Sequence, residues 1–172
     1  MAGQCIQHLL QEHRATEDVL AALEALLDSV MQEPAWSADR CQAFARIREF
    51  VASAWPLHKC KEETVLFPAL VGFLPSDSGP LDVLRSEFAI ISAEAARMME
   101  CVSPLCDGKT SPELTRNFLH AARTFGQLLR DHIYKEDRVL FPMVARYLPT
   151  EKDAALLAAM SRCFPPGRCV GA

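Results

Sequence analysis

The sequence contains no run of lysine and arginine. Its 18 basic residues are outnumbered by 22 acidic ones, for a formal net charge of −4. That balance argues against nucleic-acid binding led by phosphate contacts. No apolar stretch approaches the roughly 20 residues needed to cross a bilayer. The start, MAGQCIQHLLQEH, has neither the basic n-region nor the continuous apolar h-region of a secretion signal, so a cytoplasmic protein is expected. Glycine is scarce, at 7 of 172 residues, which excludes a collagen-like chain; 50% hydrophobic and 23% charged residues exclude a mainly disordered one. CxxC pairs are absent too, so a zinc knuckle or thioredoxin-like site has no local support. The seven cysteines, Cys5, Cys41, Cys60, Cys101, Cys106, Cys163 and Cys169, are an odd number without a secretion signal and are expected to be free thiols.

Nothing alternates with a period of two for long enough to argue a strand. Apolar residues recur instead at helical spacing. One stripe runs from Ile6 through Leu9, His13, Thr16, Leu20, Leu23 and Leu27 to Val30. A second comprises Phe44, Ile47, Val51, Ala54, His58, Glu62, Val65 and Ala69. The third is Leu81, Leu84, Phe88, Ile91, Ala95, Met98 and Val102. The fourth extends from Leu114 through Phe118, Phe125, Leu128, His132 and Glu136 to Val139 and Met143.

Punctuation agrees with four main helices. Glu33-Pro34-Ala35-Trp36-Ser37 separates the first two, and residues 75–80 separate the second from the third. Ser111-Pro112-Glu113 reads as N-cap, first helical position and acidic first turn of the fourth. Pro56, Pro68 and Pro142 fall inside helical patterns and should kink them. A short fifth helix begins near Thr150. The expected fold is all-α: an antiparallel up-down four-helix bundle over residues 1–150, with a short helix and tail over 151–172.

The chain repeats itself. HKCKEETVLFPALVGFLP (58–75) aligns without gaps on HIYKEDRVLFPMVARYLP (132–149), with nine of eighteen positions identical at an offset of 74. Two similar helical hairpins can bring equivalent residues face to face across a pseudo-twofold axis. His58 and Glu62 are four apart, as are His132 and Glu136, so each pair stacks on one helix face. In both cases that face carries the apolar stripe. Unpaired buried carboxylates cost several kcal/mol. No lysine or arginine lies on the stripes, so a metal is the expected compensating charge. Imidazole with carboxylate suits iron, manganese or zinc, and inward ligands on facing helices are how bundles build dinuclear carboxylate sites. His13 adds a third imidazole on the first stripe.

At these residues the sequence resembles the haemerythrin-like, or HHE, cation-binding family. The resemblance rests on LLQEH, HKCKEETVLFP and HIYKEDRVLFP, in family order, and spans roughly residues 5–150. It implies a four-helix bundle with a non-haem di-iron centre. By that resemblance His13, His58 and His132 would be terminal ligands, while Glu62 and Glu136 would bridge two metals. The departure is in the third helix, where the family usually has an L-x-x-E-H histidine and this chain has Leu84-Arg85-Ser86-Glu87-Phe88. Matching the apolar stripes, at an offset of 75, puts Phe88 opposite His13, and phenylalanine cannot ligate; the repeat's own offset of 74 would put Glu87 there, but Phe88 keeps the stripe intact. The expectation is one well-made metal site and one weak or open site. Glu87, solvent or an exogenous ligand would replace the imidazole, and Glu17, four residues after His13, is a further candidate ligand.

Iron is thus the expected cofactor, with zinc or manganese as alternatives. The expected ligand is a small diatomic or peroxide, bound reversibly, sensed, or met in iron handling. An enzyme reducing peroxide or nitric oxide and a structural bundle with a degenerate site are the competing readings. Neither nucleic acid nor membrane is expected as a partner; a sensor would need a separate protein partner, which the sequence does not name. Cys60 and Tyr134, two residues after the histidines, should point away from the metals. His8 and His120 lie off the stripes and are expected at the surface.

Overall fold

Four long helical rods pack antiparallel, with a fifth short helix laid along one side, in the computed structural model, which describes residues 3–74, 79–109 and 111–164. The expected separator at 75–78, together with Cys169 and the Pro-Gly tail, lies outside the described residues. Among those described there is no strand.

Helix α1 spans Gln4–Gln32 and buries its whole expected stripe from Ile6 to Val30. The second rod is continuous but not uniform. It comprises α2 (Ala38–Glu49), a π turn (Phe50–Ala54), α3 (Trp55–Lys61), a second π turn (Glu62–Leu66) and α4 (Phe67–Leu70). Helix α5 (Pro80–Cys106) buries the third stripe, from Leu81 to Val102, as expected. The fourth rod is α6 (Pro112–Lys135), a third π turn (Glu136–Leu140) and α7 (Phe141–Tyr147). Ser37 and Ser111 cap α2 and α6, accepting from the backbone N–H of Arg40 and Leu114. α5 packs along α6, while α1 lies against α2 and α6.

Each π turn ends two residues before a proline, namely Pro56, Pro68 or Pro142. Proline lacks an N–H, and its ring collides with the carbonyl four residues back. One extra residue in the preceding turn relieves the collision. The N–H groups of Trp55, Phe67 and Phe141 bond five residues back, to Phe50, Glu62 and Glu136. The expected kinks are therefore wide turns within unbroken rods. They also correct the buried stripes. Phe50, Trp55, Leu66 and Leu70 face the core where Val51, Ala54, Val65 and Ala69 were expected. Leu140 and Val144 replace Val139 and Met143: Val139 is 48% exposed and Leu140 only 1%.

The expectation that every cysteine is a free thiol is corrected at one pair. Cys41, in the first turn of α2, and Cys106, the last residue of α5, meet at one end of the bundle. Their Cα atoms are 5.7 Å apart, within bridging reach, and the two are joined by a disulfide. Cys5, Cys60, Cys101 and Cys163 are free.

Helix α8 (Thr150–Met160) lies on α1 and on the second π turn. Met160 is fully buried. α1 begins after Gly3 without a cap of its own. Asp153 of α8 supplies one, accepting from the N–H of Gln4 at 2.7 Å and of Cys5 at 3.0 Å. A Cβ on Gly3 would fall 2.3 Å from an Asp153 carboxylate oxygen, so a side chain there would push the cap aside.

Candidate metal centre

Three rods carry the inward-facing polar residues. His13 lies midway along α1, His58 in α3 and Glu62 at the start of the second π turn. His132 is in the last turn of α6, and Glu136 begins the third π turn. All five are buried. One donor atom each from His13, His58, Glu62 and Glu136 lies within 4.8 Å of the others. His13 Nε2 is 3.3 Å from both His58 Nε2 and Glu136 Oε2. His132 joins from the other side, its Nε2 3.1 Å from Glu136 Oε1.

The outer edge of each imidazole is held by a carboxylate. The Nδ1 of His13 is 2.7 Å from Asp137, that of His58 is 2.9 Å from Glu12, and that of His132 is 3.0 Å from Glu87. An ionised carboxylate can only accept, so each Nδ1 carries its proton outward. With Nδ1 so engaged, a ring in its neutral form turns the Nε2 lone pair inward, the arrangement that second carboxylates impose on metal-binding histidines. Lys61 and Lys135, equivalent in the repeat, donate to the remaining oxygens of Glu12 and Glu87. Lys61 is buried although it lies off the apolar stripe. Its ammonium turns away from the centre, toward Glu12 and the His8 Nε2 at 2.9 Å.

What remains inside is short of partners. Both oxygens of Glu62, both oxygens of Glu136 and the His132 Nε2 are buried without a hydrogen bond, although several lie within 3.6 Å of one another. Burial and the neighbouring Glu136 charge raise Glu62 well above the usual carboxylate range. Burial also acts on Glu136, but the His13 and His132 imidazoles outweigh it and hold that carboxyl well below the range. For His13, burial pulls down while Asp137 and Glu136 pull up and win, raising it to about 9. Burial lowers His58 despite Glu12. For Glu12, burial is overcome by His58 and Lys61, which hold it at about 2. Orphaned carboxylate oxygens and converging imidazole lone pairs are a donor set that fits a divalent cation such as iron.

The third-helix departure has a definite structural counterpart. Phe88 packs its ring 4.6 Å from that of His132, centroid to centroid, and 5.4 Å from Trp55. Glu87 reaches His132 Nδ1 just as Glu12 reaches His58 Nδ1. Phe88 is therefore the counterpart of His13, and Glu87 of Glu12. In the second half of the repeat Asp137 holds His13; its counterpart Glu63 has no histidine to hold and lies 3.9 Å from Lys59.

Of the residues expected at the centre, the structure groups His13, His58, Glu62 and Glu136, with His132 beside them. Glu87 is placed behind His132, on its outer edge. Glu17 is exposed, 3.6 Å from Arg130. Tyr134 is turned outward and Cys60 sits on the outer side of α3 against Thr64. His120 is exposed, while His8 reaches Lys61. Sequence reasoning missed Glu12, Asp137, Lys61 and Lys135 as supports. The available signals were the Glu12-His13 pair and the lysine preceding each repeat glutamate.

Comparison with protein families gives one match: the model described as Hemerythrin HHE cation binding domain covers residues 5–144. No curated protein matches the chain. The His/Glu cluster is compatible with the cation binding for which that domain is named.

Proposed function

This chain belongs to the haemerythrin HHE cation-binding family, and on that footing we propose that it holds non-haem iron in a lopsided centre that meets a small ligand. His13, His58, Glu62 and Glu136 would hold one iron firmly. His132, with the far oxygens of the two glutamates, would make a second position that lacks a third-helix donor because Phe88 stands there. The observation that carries the reading is the set of orphaned oxygens on Glu62 and Glu136 facing the histidines. Iron bound there would supply redox chemistry toward oxygen, nitric oxide or peroxide. The chain's own residues supply the rest. Asp137, Glu12 and Glu87 fix the imidazole orientations, and Phe88, Trp55 and Phe141 wall the centre with aromatic rings that exclude larger molecules. Zinc would suit the same donors but has no redox chemistry for this role.

The test is an anaerobic titration of ferrous-reconstituted protein with nitric oxide, oxygen and hydrogen peroxide, followed by absorbance. Saturation near one ligand per chain, lost in His58→Ala, supports a binding or sensing role. Many turnovers of peroxide or nitric oxide per chain would transfer the reading to an enzyme. No spectral response to any of the three would overturn it.

A further inference from the structure

Cys60 and Cys163 are far apart in the chain and neighbours in space. Cys60 lies on α3, two residues beyond His58; Cys163 follows the end of α8, three residues past Met160. Between them stands Thr64, in the π turn that begins with Glu62. The Thr64 hydroxyl donates to the Cys60 carbonyl at 2.6 Å, which leaves its oxygen free to accept. Both sulfurs approach that oxygen, each at 3.8 Å. Burial, and secondarily the nearby Cys60 sulfur, push the Cys163 thiol up. Both cysteines are half-buried, and Cys60 and Thr64 line an open cavity of about 310 Å³ with Lys59, Glu63 and Ser92. The other free thiols described have no such setting. Cys5 is buried with its thiol pushed up to about 12, and Cys101 is raised by burial and then by Glu100.

We propose that Cys60 and Cys163 are a redox-modification site that closes to a disulfide under hydrogen peroxide, tying the end of α8 to the end of α3, just before the turn that begins with Glu62. The reaction balances with peroxide as the sole oxidant. A thiolate sulfur of one cysteine attacks a peroxide oxygen; an S–O bond forms, the O–O bond breaks, and the departing hydroxide takes a proton to become water. The second sulfur attacks the resulting sulfenic sulfur. The S–S bond forms, the S–O bond breaks, and the second hydroxide leaves as water with the remaining proton. Two thiols lose two electrons and peroxide gains them. Cys60 suits the first role, because it lines the open cavity and Cys163 does not. This site is separate from the Cys41–Cys106 bond and does not depend on iron occupying the centre.

The experiment uses the full chain as isolated and, in parallel, after chelator treatment. Both samples receive stoichiometric hydrogen peroxide, alkylation of the remaining thiols and non-reducing peptide mass spectrometry. The expected product joins the Cys60 and Cys163 peptides, two hydrogens lighter than their sum, in both samples, and dithiothreitol reverses it. In Cys163→Ser, Cys60 should stop as a sulfenic acid that dimedone traps, with the circular dichroism of the fold unchanged. The proposal is overturned if Cys60 and Cys163 stay alkylatable while other thiols react. A Cys60–Cys169 link, or separate over-oxidation of both residues in the intact chain, overturns it equally. A cross-link seen with no iron bound would leave this site standing even where the metal reading fails.

Discussion

Glu62 is fully buried beside Glu136 with neither oxygen hydrogen-bonded, so in the metal-free protein it destabilises the fold that it exists to serve. Glu62→Gln keeps the shape of the site without a carboxyl that can ionise. Metal-free Glu62→Gln should melt at or above the temperature of the metal-free native chain, while its metal-induced rise in Tm disappears; paired thermal melts with and without ferrous iron check both. The carboxylates behind the histidines act differently. Glu12→Gln leaves the donors in place but loosens His58, and metal affinity should fall by about 10–100-fold. Competition against a chelator of known affinity measures it, and an unchanged affinity would remove Glu12 from the centre. The ligands themselves were readable because His-x-x-x-Glu occurs twice with the same flanking LFP. Their supports were not, since Glu12 and His58 are 46 residues apart and Asp137 and His13 are 124 apart. Only packing brings such pairs together.

The rods α1 and α5 follow the 3.6-residue period from end to end, so their buried faces could be read directly from the sequence. The other two rods could be read only in part, since each π turn shifts the phase and, before the third, Leu129 takes the buried place expected for Leu128. Proline was recognised as a disturbance there, but a kink and an added residue are indistinguishable in the pattern, and only the second shifts the phase. Position 66 gives a sharp test. Leu66→Ala should cost about 2–5 kcal/mol, as for a buried leucine, whereas the half-buried Val65 should tolerate serine at much lower cost in denaturant unfolding. An uninterrupted α-helix would put Val65, and not Leu66, in the core and reverse the order. Asp153 on α8 supplies a second prediction. Its loss in Asp153→Ala leaves two N–H groups of α1 uncapped and should cost about 1 kcal/mol. Its hydrogen bonds to Gln4 and Cys5 hold the carboxyl below its ordinary value despite the opposing effect of burial. The depressed value in the folded state fixes the sign. The contribution is complete above the ordinary aspartate range and is lost as pH falls through the lower folded value. Stability differences between native chain and Asp153→Ala should therefore shrink toward zero in acid.

Across the molecule, the two halves share a plan and differ where it counts. The doubled motif showed the pseudo-symmetry in advance, and the break in it at Phe88 was equally visible. What the linear sequence did not show is how that break spreads. Phe88 fills the space beside His132, Glu63 is left to Lys59, and the second half of the centre is walled with aromatic rings. The Cys41–Cys106 bond was hidden for a similar reason, because it joins two rod ends that meet only in the assembled bundle. Restoring the symmetry should restore the second position: Phe88→His gives Glu63 a histidine to hold and should raise iron uptake by one atom per chain. The most direct test of the lopsided centre is the iron content of the native chain. It is measured by plasma mass spectrometry after anaerobic reconstitution with ferrous iron and desalting. One tightly held iron per chain is the predicted result. Two would contradict the asymmetry assigned to Phe88, and none, with the helical fold intact, would contradict the metal centre itself.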